Sequence, residues 1–233
     1  MNPEIVTTVS TMTLFALDHV LICTDIGAPV ADRLRDFGLT EGTSNVHPGQ
    51  GTTNRRFFFH NAMLELLWVH SPEEAQSAVT RPTQLWERWR GRHGDTVPFG
   101  ICLRPRHHTP AALPFAAWAY TPSYLPSPWV IQVAENASML TEPMLFYMAF
   151  GRRPDQADTP YSLEHAIGFR EMTSLRLRSP QSVPPSAALR AVVEMDIVTV
   201  STGGPSLMEI GFDGEVSGRS MDFRPDLPLV VHW

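Results

Sequence analysis

Lysine is absent: all 18 basic residues of the 233-residue chain are arginine. That excludes catalysis through a lysine Schiff base and a phosphate-binding P-loop lysine, and no nucleotide cofactor is expected. Cysteine is nearly absent. Cys23 and Cys102 are too few for a disulfide framework and stand in no zinc-type spacing, so they read as small apolar residues of buried strands. No apolar run is long enough to span a membrane, and the N-terminus lacks the basic-then-apolar order of a secretory signal. No block of basic residues occurs and the net charge is −6, which argues against a nucleic-acid groove. The expectation is a cytoplasmic protein whose partner is a small molecule, with neither nucleic acid nor membrane as a partner.

What is present is a chain able to fold. Its hydrophobic fraction of 43% is enough for a sizeable core and unlike that of a disordered chain. Residues 1 to 12 read as a polar lead. "LFALDHVLIC" then reads as a strand, and "APVADRLRDFG" as a helix with Val30, Leu34 and Phe37 on one face. Pro29 suits the helix start and Gly38 its end. A Gly-rich loop, "HPGQGTTN", leads to two strands, "NRRFFFHN" and "AMLELLWV". The order is β-α-β-β-β over residues 13–70. Residues 71–163 form a helical and proline-rich connection with two or more strands. It opens on a Ser71/Glu74 capping signature, and its Trp86 and Trp89 read as packing residues. Residues 164–233 repeat the β-α-β-β-β order.

Two apolar strands are each interrupted by one ionisable residue. Alternate strand residues share a face, so Val20 and Ile22 turn to the helix while His19, Leu21 and Cys23 face the other way. On "AMLELLWV", Met63, Glu65 and Leu67 share one face. His19 and Glu65 can therefore meet on the concave side of one sheet. A buried carboxylate is costly unless paired or metal-bound, and His and Glu are common ligands of divalent metals. The alternative pairs Glu65 with Arg55 or Arg56 of the neighbouring strand.

"LDHVLICTDIGAPVADRLRDFGLT", "HPGQGTTN" and "MLELLWV" resemble the glyoxalase-like branch of the vicinal oxygen chelate superfamily. The resemblance implies an α+β fold of the glyoxalase, bleomycin-resistance and dihydroxybiphenyl-dioxygenase kind. Paired βαβββ modules there form a curved mixed sheet, a cup around a divalent metal such as zinc, nickel, manganese or iron. The metal is held by a residue on the first strand of each module and one on its last, positions that match His19 and Glu65. The metal acts as a Lewis acid in lyase, isomerase or dioxygenase chemistry, with Glu65 available as a base. Metal-free members that sequester small molecules give the alternative function. Cups shared across a homodimer are also known in such proteins.

The partner ligands admit two alignments. If "FGICLRP" opens and "WVIQVAE" closes the second module, Gly100 takes the histidine position and Gln132 the glutamate position. If "MTSLRLR" opens and "SMDFRP" closes it, these become Ser174 and Asp222. The 48-residue spacing of the second is nearer the 46 between His19 and Glu65 than the 32 of the first, while the local wording of the strands favours the first. Neither supplies a second histidine, so His107, His108, His165 or water would complete the site. In "TSLRLR", Arg176 alternates with leucines and is the expected clamp for an anionic ligand; the alternative leaves it in solvent. Asn54, Trp118, Tyr120, Tyr124 and Ser174 are the remaining candidates for lining a ligand pocket.

Overall fold

The computed structural model describes residues 14–107, 112–158, 160–180 and 184–233. The polar lead of residues 1–12 and His108 lie outside the described residues. The first module runs β1 (Phe15–Cys23), α1 (Val30–Asp36), β2 (Val46–His47), β3 (Thr52–Phe58), β4 (Met63–Val69). Strand alternation works as the sequence requires: Val20 and Ile22 join Val30, Ala31 and Leu34 in one core. Leu21, Cys23 and Leu67 belong to a second cluster on the opposite face. Helix α1 ends where Gly38 takes φ +110°, and a Cβ there would lie 3.0 Å from the Ile167 nitrogen.

A connection follows with α2 (Pro72–Ala75) and α3 (Leu85–Arg90). Ser71 Oγ accepts a hydrogen bond from the Glu74 amide, capping α2. Trp89 Nε1 donates to the Thr24 carbonyl and ties α3 to the end of β1.

Strands β5 (Phe99–Pro105), β6 (Ala117–Tyr120), β7 (Ile131–Ala134) and β8 (Met144–Tyr147) complete an eight-stranded sheet of order β2-β3-β4-β1-β5-β8-β7-β6. Its centre is the antiparallel β1/β5 pair. On either side lies a parallel pair, β1/β4 and β5/β8, so the two halves mirror each other. The spacing argument that put the partner module at 164–233 does not match this pairing, since residues 99–147 supply the partner strands. The reason is local. β6, β7 and β8 have four residues each, and prolines in the intervening loops hide their alternation.

Residues 172–232 form a separate five-stranded sheet. It contains β9 (Met172–Ser179), α4 (Ala187–Glu194), β10 (Thr199–Thr202), β11 (Leu207–Phe212), β12 (Ser220–Asp222) and β13 (Leu229–His232), in strand order β10-β9-β11-β13-β12. The expected β-α-β-β-β order thus gains a fifth strand, β13. The wiring repeats the middle of the first sheet: a central antiparallel pair, β9/β11, flanked by parallel neighbours. The convex side of the first sheet packs on this second sheet through one shared core, which includes Leu64 and Leu66 from the first and Leu175, Leu177 and Ile210 from the second. Phe59 meets Phe212 at 4.7 Å and Phe37 meets Phe223 at 5.4 Å between ring centroids. Deleting a leucine side chain from such a core costs about 2–5 kcal/mol. The concave side of the first sheet is left free to enclose a cavity.

Candidate functional site

That cavity has a volume of about 1040 Å³ and is lined by Asp18, His19, Glu65 and Asn54, among others. It brings two neighbours in sequence, Asp18 and His19, to one face. A register shift between Leu17 and His19 in the β1/β5 pairing makes Asp18 an extra residue, and such bulges re-aim side chains next to sites. Asp18 Oδ1 lies 2.6 Å from His19 Nδ1. This leaves Nε2 to face Glu65 Oε2 at 3.7 Å. Gly151 covers the bulge closely: a Cβ there would stand 2.5 Å from Asp18 Oδ2 and 2.9 Å from Arg104 Cβ.

Both ionisable groups are buried, His19 at 7% and Glu65 at 6% exposure, so each needs support. Burial alone would lower the His19 pKa. The hydrogen bond to Asp18 and the charges of Asp18 and Glu65 outweigh it, and the imidazole titrates above its usual value. Glu65 Oε1 accepts a 2.5 Å hydrogen bond from Asn54 Nδ2. Asn54 is itself fixed, because its Oδ1 accepts from the Asn45 amide at 2.7 Å. The alternative pairing of Glu65 is not seen. Arg55 bonds Glu41 and Asp32, and Arg56 donates to the carbonyl and hydroxyl of Thr43.

The mirrored half offers no matching donors. His19 lies opposite Met63 and Leu21 opposite Glu65, while Gly100 lies opposite Met144 and Cys102 opposite Phe146. Gly100 and Phe146 therefore take the places of His19 and Glu65. Room is lacking as well: a Cβ on Gly100 would lie 2.8 Å from Leu21 Cγ, and the Phe146 ring meets the His19 ring at 5.3 Å. Asp18, His19 and Cys102 also place ligand-type atoms within 4.8 Å of one another. Burial holds the Cys102 thiol well above its usual pKa, which disfavours the thiolate a metal requires.

The residues present fit a divalent cation held by two protein donors, His19 Nε2 and Glu65 Oε2. Each donor is backed by a hydrogen-bonding partner in the manner of metal ligands. Among the described residues, no cage of four protein donors surrounds this point.

Of the other expected residues, Tyr120 and Tyr124 line the cavity, as does His107 at its mouth. Gln132 does not: Ile131 and Val133 beside it line the cavity, so strand alternation turns Gln132 away. The strand closing that half is β8, not β7. Trp118 shares the face of Tyr120 on edge strand β6 and packs against the cup-side cluster, but it is not part of the cavity wall. Ser174 and Arg176 belong to the second sheet, where both bond Glu215. Asp222 is bound to Arg224 on edge strand β12. His165 bridges the Thr40 amide and the Phe58 carbonyl and serves to join segments.

His47 and Gln50, which no motif in the sequence marks, are both buried and both line the cavity. Gln50 Oε1 accepts from the hydroxyls of Tyr120 and Tyr124 at 3.2 and 3.1 Å. Its Nε2 donates to Thr52 Oγ1 at 2.7 Å, and that oxygen lies 2.9 Å from His47 Nδ1. Burial pushes the His47 pKa down. Gly49 makes the approach possible with φ +80°, since a Cβ would lie 2.3 Å from Ser123 Oγ. This clasp joins the loop after β2 to the loop after β6, the two outer strands of the sheet. The available signal was polar residues packed around two glycines, a pattern equally typical of an ordinary turn.

No helix among the described residues is long and apolar enough to cross a membrane. No curated protein matches the chain. Among solved structures, a hypothetical protein from Staphylococcus aureus aligns with a TM-score of 0.50 and 11% identity, covering 93% of this chain and 98% of its own. A methylmalonyl-CoA epimerase in complex with methylmalonyl-CoA aligns with a TM-score of 0.38 and 17% identity over 61% of this chain and 100% of its own. A fusion of a xylose isomerase-like TIM barrel with a 4-hydroxyphenylpyruvate dioxygenase aligns with a TM-score of 0.41 and 10% identity over 84% of this chain and 36% of its own. The sequence profile of the glyoxalase-like domain matches residues 17–193, a span that contains the cup's strands except for the first two residues of β1. The chain belongs to the glyoxalase-like domain family of the vicinal oxygen chelate superfamily.

Proposed function

We propose that the protein is a small-molecule enzyme that moves a proton on a substrate with two vicinal oxygens, assisted by one divalent metal. The observation that carries this is the pair His19 Nε2 and Glu65 Oε2, facing each other at 3.7 Å inside the cavity. A metal bound there would polarise the substrate oxygens as a Lewis acid. Asp18 holds the His19 ring so that Nε2 stays directed at the cavity. Asn54 holds one oxygen of Glu65 and leaves the other free. That oxygen would hold the metal or, where the metal is held loosely, take a proton from a carbon next to a polarised carbonyl and return it. Isomerase and lyase chemistry suit this arrangement. Among the described residues, no two histidines and a carboxylate stand close enough together for a dioxygenase iron site.

A second reading is a metal-free binding protein of the same fold. It is favoured by Gly100 and Phe146, which give the mirrored half an apolar surface where ligands would stand. Elemental analysis of tag-free protein purified without chelator, beside His19→Ala and Glu65→Gln, separates the two. Near-stoichiometric metal that is lost in both variants supports the enzyme. Metal-free protein after reconstitution with manganese, iron, nickel and zinc overturns it and leaves the binding protein.

A further inference from the structure

The cup is more basic than the molecule around it. The chain carries a net charge of −6. Yet the cavity is lined by Arg56, Arg104, Arg106, Arg152 and Arg153 against Asp18, Glu65 and Asp158 as its acidic groups. A concave wall of one sign concentrates ligands of the other. Arg152 and Arg153 are engaged with Asp158, Asp155 and Glu171 at the mouth. The two arginines deeper in the cup differ. Arg104 is 6% exposed, its Nε has no hydrogen-bond partner, and that atom is 4.0 Å from Asp18, beyond hydrogen-bond range.

Arg56 is the better placed of the two. It stands opposite Glu65 in the β3/β4 register, and side chains so paired are close neighbours. Its Nε and Nη2 are held by the carbonyl and hydroxyl of Thr43 at 2.7 and 3.2 Å, and its guanidinium lies 5.0 Å from the centre of the Phe58 ring. No carboxylate lies within ion-pair range of it among the described residues. A half-buried cation fixed in this way and unpaired is stabilised by an anion in the cavity. A planar carboxylate matches one free guanidinium edge. A phosphate would bring a second negative charge towards Glu65 and Asp18. Across the cup, Ile131, Val133, Met144 and Phe146 form an apolar wall.

We infer that the substrate is a 2-hydroxy carboxylic acid with an apolar substituent: Arg56 holds the carboxylate, the adjacent hydroxyl-bearing carbon with its proton lies at Glu65, and the substituent packs against the β7/β8 wall. This rests on the site reading above for the position of the reacting carbon. The carboxylate contact is independent of any metal. The test uses chelator-treated protein, with mandelate and methyl mandelate as probes, read by calorimetric titration and by melting temperature. Mandelate is expected to bind and to raise the melting temperature, and the ester to bind roughly tenfold or more weakly. Arg56→Gln removes that preference without weakening ester binding. Arg56→Lys, which keeps the charge but loses the fork, falls between the two and serves as the test if Arg56→Gln does not fold. Equal binding of acid and ester, no binding of either, or an unchanged preference in the variants overturns the inference. Because the protein is metal-free throughout, that failure is distinct from a failure of metal binding.

Discussion

Asn54 and Glu65 are joined diagonally across two strands. Asn54 stands opposite Leu67 and Arg56 opposite Glu65, yet the Asn54 amide donates to Glu65 Oε1 at 2.5 Å. This one bond fixes which carboxylate oxygen faces His19. Asn54→Leu strands a buried acceptor and is expected to cost about 1–3 kcal/mol, measured by urea denaturation. It also weakens any metal held at Glu65. An unchanged midpoint would mean that Glu65 has other support.

Gly151→Ala tests the bulge. The new methyl would press on Asp18 Oδ2 and on Arg104 Cβ, neither of which has much room to move. Metal affinity or turnover is expected to fall about tenfold or more, as for loss of a group that orients a ligand. The melting temperature is expected to fall only modestly. An unaltered site would show that the Asp18–His19 contact is dispensable.

Gly100→His restores a ligand-type residue to the mirrored half. The expected outcome is no gain in metal and a loss of about 1–3 kcal/mol from overpacking against Leu21. A variant that binds metal more tightly than the parent would show that the mirrored position is open.

His165 makes stability fall with acid. Burial lowers its pKa in the folded protein, so the unfolded chain takes up a proton first as pH drops below about 6.5. Its share of stability is full above that value and shrinks until the pH passes the depressed folded value. His165→Gln should flatten this part of the stability–pH curve. His47 shifts in the same sense, so some slope remains. Identical curves for the two proteins would remove His165 as the cause.

The first module was legible because each of its elements carries its own pattern. Val20 and Ile22 against His19, and Leu64 and Leu66 against Glu65, are alternations long enough to fix the inward face. The second module was not, since its strands are short and its ligand positions hold Gly100 and Phe146. Spacing points to Ser174 and Asp222 and alternation to Arg176, and all three lie on another sheet. Arg176, the arginine that alternation marks, is bound to Glu215 on the other sheet; Arg56 is among the residues that line the cup, and its adjacency to Arg55 hides that one faces Glu41 and the other the cup. Asp18 was invisible as a site residue, because a two-residue period assigns it to the opposite face and only the bulge reverses that. The clasp around Gln50 depends on residues that no local pattern connects.

That clasp bears on how the chain reaches its final form. Gln50 and Tyr120 are 70 positions apart, and Gln50 and Tyr124 are 74 apart. Their contact brings together the outer strands of a sheet whose central strands must already be paired. The central pair spans further still, 83 positions from His19 to Cys102, so the clasp follows the sheet not through loop length but because the inner strands must bring the two outer ones together. The walls of the cup are thus assembled before its rim, and in refolding the ability to hold a ligand should lag behind the return of strand structure.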